Sequence, residues 1–116
     1  MISVVYDREA MSVTMKGHAL SGEAGQDLVC ASASILAYTL ATNVTTLEEQ
    51  GFLKQMSIKL NPGDAEIKCI PESHYRYTVA LVFNAVCAGF ALLAHDYPDN
   101  ISCEIKGCVD RETEDL

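Results

Sequence analysis

Cys30 and His18 are the two residues whose chemistry stands out in this chain. A thiolate is a strong nucleophile, and an imidazole can take up and return a proton near neutral pH. Together they suffice for acyl transfer through a thioester. Cys30 follows Asp27-Leu28-Val29, at the head of a long run with helical patterning, and Asp27 stands where an N-cap belongs. A cap at Asp27 puts Cys30 in the first helical turn. The N–H groups there have no helical partner, and the dipole favours negative charge, so a thiolate is stabilised. The same N–H groups would form an oxyanion hole. Ser34 lies one turn beyond Cys30 on the same face, within reach of the site, and Ala33, Ala37 and Ala41 leave room for a close approach.

Each residue also has a plainer reading. A cysteine in an apolar helix commonly packs as a small core side chain, and a histidine in a loop is commonly a solvated surface group. His74 and the His95-Asp96 pair flank the second long apolar run and are rival bases, or decorations of helix ends, where His95 suits the negative C-terminal dipole. Spacing by itself leaves these alternatives open.

The elements that must position Cys30 and His18 are readable from periodicity. Ile2, Val4 and Tyr6 alternate with polar neighbours, and after Asp7-Arg8-Glu9 the alternation resumes with Met11, Val13 and Met15, which describes a hairpin. Residues 17–26 hold Gly17, Gly22 and Gly25, lack any period and read as a loop carrying His18. A helix over residues 28–44, extending towards 50, ends at Gly51. Met56, Ile58 and Leu60 make the next strand, Asn61-Pro62-Gly63-Asp64 the turn, and Ala65, Ile67 and Cys69 the returning strand. A second helix over residues 75–95 stops before Pro98, and Ile101, Cys103 and Ile105 form a last strand. The order ββαββαβ implies a two-layer α/β sandwich: a mixed sheet with both long helices on one face. One domain over residues 1–109 is expected, followed by an acidic tail over 110–116.

Bulk composition narrows the function. A chain of 116 residues that is 49% apolar can bury a core without disulfides or metal. A net charge of −8 disfavours nucleic acid, which is bound by displacing counterions with Lys and Arg. The 5 cysteines are odd in number and contain no CxxC pair. Cys103 and Cys108 stand too far apart for a zinc knuckle, and no metal or other cofactor is expected. With no basic and apolar leader at the start, free thiols in a cytoplasmic setting are the natural expectation. Residues 78–94 carry no charge, yet Asn84 and Gly89 interrupt them, so a buried helix is expected rather than a membrane span. Residues 28–47 also carry no charge, so the outer faces of both helices call for cover, most simply by a second copy in a homodimer.

Gly17-His18-Ala19, followed by Gly25-Gln26-Asp27-Leu28-Val29-Cys30-Ala31 and then Ser34, resembles the signature of the ribosomal-processing cysteine protease family Prp. The likeness runs along essentially the whole chain. It implies a bacterial cytoplasmic homodimer that removes a short N-terminal extension from a basic large-subunit ribosomal protein of the bL27 type. By motif position it implies Cys30 as nucleophile and His18 as general base and acid. Asp27 and Ser34 would be supporting residues, and Gly17, Gly22 and Gly25 would belong to a loop that moves on substrate binding. Gln26 departs from the Lys that many relatives have. A ribosomal-protein-binding module with a structural Cys30, or a thiol hydrolase of small esters, are the alternatives.

Overall fold

The computed structural model describes residues 1–18 and 24–108, the side chains of residues 24–27 excepted. Its elements run β1 (Ile2–Asp7), β2 (Ser12–Lys16), α1 (Ala24–Glu49), β3 (Leu53–Asn61), β4 (Asp64–Pro71), a single 3-10 turn (Ser73–Tyr75), α2 (Arg76–Asp96) and β5 (Ile101–Lys106). The expected order and element types are observed. The acidic tail at 110–116 lies outside the described residues.

The five strands form one sheet in the order β3-β4-β2-β1-β5. Each hairpin is antiparallel, β2 joins β4 antiparallel, and β5 runs parallel to β1, so the sheet is mixed. The strand period decides which face is covered. Ile2, Val4 and Tyr6 are buried on β1, as are Ala65, Ile67 and Cys69 on β4, while the alternate residues stay accessible. Both helices therefore lie on that one face. Val29, Leu40 and Val44 of α1 and Val79, Phe83 and Phe90 of α2 complete the core. Full burial of such side chains contributes about 1.5–3 kcal/mol each.

Helix ends explain how the chain is routed. Gly51, with φ 83°, closes α1: its N–H donates to the Glu48 carbonyl (3.1 Å) and the Phe52 N–H to the Leu47 carbonyl (3.0 Å), the Schellman arrangement. The other end of α1 departs from expectation. The helix starts at Ala24, not after a cap at Asp27. Cys30 thus sits in the second turn, where backbone N–H groups are committed to carbonyls four residues back. The first-turn dipole argument does not apply there, and those N–H groups are not free to form an oxyanion hole.

By length and composition α1 and α2 could each cross a membrane, yet both contribute one face to the core. Their outer faces keep Leu28, Ile35, Tyr38, Leu81 and Leu92 exposed.

Candidate active site

The site forms where the N-terminal half of α1 passes the end of the sheet. Cys30, Ala33, Ser34 and Ala37 project from α1 at helical spacing, so all four lie along one side. Ala33 and Ala37 are buried, and with no side chain beyond Cβ they leave space between helix and sheet. Met15, Leu60 and Ala65 face them from the strands. The result is a cavity of about 300 Å³ lined by both Cys30 and His18, with Ser34 on its wall and Tyr38 at its margin.

Cys30 is half-buried and packs against the core edge, and His18 is exposed. The structure thus brings the expected pair, together with Ser34, to one apolar recess. The other expected residues fall differently. Gly17 lies at the end of β2, with φ 93°, and its N–H donates to the Gly63 carbonyl at 3.0 Å. Gly25 lies in the first turn of α1. Gly22 and the side chain of Asp27 lie outside what is described. His74, in the 3-10 turn, and His95, 3.2 Å from Asp96 at the end of α2, do not line the cavity.

The remaining thiols differ from Cys30 in setting. Cys69 and Cys87 are buried in the core, and burial pushes each thiol up to about 12. Burial also raises Cys103, and Cys108 is exposed beside Glu9. A thiolate is disfavoured at the buried positions, which removes them as nucleophiles. Among the described residues no three His, Cys, Asp or Glu side chains are grouped to hold a metal ion.

One wall of the cavity was not anticipated from sequence. Leu60, Asn61, Pro62 and Gly63, from the β3–β4 turn, close the end beside His18. Asp64 fastens this turn by accepting hydrogen bonds from Lys16 and from Lys59 (3.0 Å). The Lys16 ammonium, and then that of Lys59, hold its carboxyl below the usual carboxylate range. The Asn-Pro-Gly-Asp composition announced a turn, but only the β2–β4 pairing brings it to the His18 end of β2.

The model of the family described as cysteine protease Prp matches residues 1–102. The chain belongs to the Prp family. It is a cysteine protease. Solved structures share its fold. The ribosomal processing protease Prp from S. aureus, in complex with a covalently linked product peptide, superposes with a TM-score of 0.71 at 24% identity, covering 91% of this chain and 100% of that one. The same S. aureus protease with a substrate peptide gives 0.69 at 21% identity, with 91% and 100% covered. SMU.848 from Streptococcus mutans gives 0.62 at 26% identity, with 90% of each chain covered. No curated protein matches the chain.

Proposed function

We propose that this Prp-family protease removes the N-terminal extension of a basic, bL27-type ribosomal protein, with Cys30 as nucleophile and His18 as proton carrier. The observation that carries this reading is that Cys30 and His18 line one cavity of about 300 Å³.

Peptide cleavage on this pair proceeds in two halves. His18 takes the Cys30 proton, and Sγ adds to the scissile carbonyl carbon, forming a C–S bond and an oxyanion. The oxyanion collapses, the C–N bond breaks, and the leaving amine takes the proton from His18. Water then attacks the thioester while His18 removes its proton. The C–S bond breaks, releasing a carboxylate and restoring the thiol. A covalently linked product peptide in the S. aureus relative accords with such an intermediate. Ser34 supports the site as a hydroxyl on the same helix face, and Asp27 by its family position. Of the glycines that the family resemblance gives to the substrate loop, Gly17 at the end of β2 and Gly25 in the first turn of α1 serve as its fixed ends.

The protein acts as a cytoplasmic homodimer in this reading. Leu28, Ile35 and Tyr38 recur on one stripe of α1, Leu81 and Leu92 on one stripe of α2, and a second copy would bury both. Neither a cofactor nor nucleic acid enters the reaction.

The test is incubation with the extended ribosomal protein, followed by mass spectrometry of the product. Cleavage by wild type and loss of turnover in Cys30→Ala and His18→Ala, with the His18→Ala melting temperature unchanged, is the expected result. Turnover by Cys30→Ala would remove the nucleophile assignment. Stable binding without cleavage, or hydrolysis of simple esters alone, would point instead to a binding module or a small-ester hydrolase.

A further inference from the structure

We propose that Gly63 is a positioning residue for His18: its bare α-carbon is the seat on which the imidazole rests beside the Cys30 cavity. The inference rests on the Cys30–His18 reading above and adds to it a residue outside the family motif.

The seat is a contact that only glycine permits. A β-carbon at Gly63 would stand 2.2 Å from Nε2 of His18, 2.7 Å from Cε1 and 3.0 Å from Cδ2. Such distances lie inside van der Waals contact, so any other L-residue displaces the ring. Gly63 also has φ 70°, a conformation suited to glycine at the third position of a turn after Pro62.

The seat and the histidine belong to one fastened unit. Lys16 and Asp64 are ladder partners across β2 and β4. The Gly17 N–H extends that pairing by one step, donating to the Gly63 carbonyl at 3.0 Å. On its other side, a β-carbon at Gly17 would stand 2.3 Å from the Met1 carbonyl oxygen. The chain therefore leaves β2 from a clamped point, and His18, the next residue, meets the turn directly. Asp64 holds the same turn through Lys16 and Lys59. A general base must be held close to its productive geometry, and a displacement of about 1 Å can cost roughly 10²-fold in rate.

The decisive comparison is Gly63→Asn against Gly51→Asn. Asparagine tolerates positive φ better than other side chains. Gly51 has φ 83° with open space around its absent β-carbon, so Gly51→Asn carries the backbone cost without touching His18. Gly63→Asn is expected to lower kcat about 10²-fold with KM within about twofold, while Gly51→Asn stays near wild type. Equal kcat in the two variants overturns the proposal. Full activity in His18→Ala alone would instead bring down the underlying Cys30–His18 reading. A measurement on wild type needs no variant to fold: NMR cross-relaxation between the His18 ring protons and the Gly63 Hα is expected, and its absence overturns the seat.

Discussion

The Tyr6 hydroxyl donates a hydrogen bond of 2.7 Å to Oδ1 of Asn84, joining the centre of the sheet to α2. Tyr6 is 1% exposed, its ring stacks on Phe83 at 5.9 Å between centroids, and burial pushes its hydroxyl well above the usual phenol range. A buried hydroxyl needs a partner, which accounts for an asparagine within the uncharged stretch 78–94 of that helix. Tyr6 therefore holds α2, and through it the packing of α1, at a set height over the sheet.

Removing that partner has a defined consequence. Asn84→Leu is expected to lower the unfolding free energy by about 1 kcal/mol, near the lower end for an orphaned hydroxyl because Asn84 itself borders solvent. In urea titrations, Tyr6→Phe combined with Asn84→Leu should cost less than the sum of the single variants. Strict additivity would mean that the hydrogen bond contributes nothing to stability.

The buried thiols make alkaline stability a second test. A free thiol titrates near 9.0, whereas Cys69 and Cys87 in the folded chain are pushed up to about 12. Between these values the unfolded chain has lost protons that the folded chain retains. Stability is thus complete below about pH 9 and falls as pH rises towards 12, by up to ~1.4 kcal/mol per pH unit for each thiol. Tyr6, also raised, adds a fall of the same sign at higher pH. Urea midpoints measured between about pH 8 and 11 should decline for wild type and decline less steeply for Cys87→Ala. Identical slopes would show that Cys87 titrates alike in the folded and unfolded states.

Much of this arrangement could be read from residue order, for identifiable reasons. Period-two patterning marked β1, β2, β4 and β5 because one face of the sheet is covered and the other is not. Gly51 marked the end of α1 because its left-handed φ closes the last turn. Asn84 and Gly89 looked like interruptions of α2. In the fold one serves Tyr6, and the other lets α2 approach α1, since a β-carbon at Gly89 would stand 2.7 Å from Leu36 Cδ2. The start of α1 departs from the sequence expectation because Gly25 suggests a loop and Asp27 a cap, signals that the longer helix overrides. His18, Cys30 and Ser34 were visible by type and spacing. Gly63 was not, because its meeting with His18 depends on the pairing of β2 with β4 across the whole of α1, and no local pattern encodes that pairing.

Charge makes the last prediction, and it concerns rate. The chain carries a net charge of −8, with 16 acidic against 8 basic residues. The proposed substrate is a basic ribosomal protein, so the long-range field should speed encounter without changing the chemistry in the Cys30 cavity. The Debye length falls from ~30 Å at about 10 mM salt to ~8 Å at about 150 mM, which screens that attraction. Over this range kcat/KM for the intact basic protein should fall by roughly tenfold, with kcat nearly constant. A short neutral peptide bearing the same scissile bond should show little change. Distinct slopes for the two substrates would locate the effect in association. If the intact protein were cleaved equally fast at both salt concentrations, the acidic surface would have no steering role, and solubility alone would account for its charge.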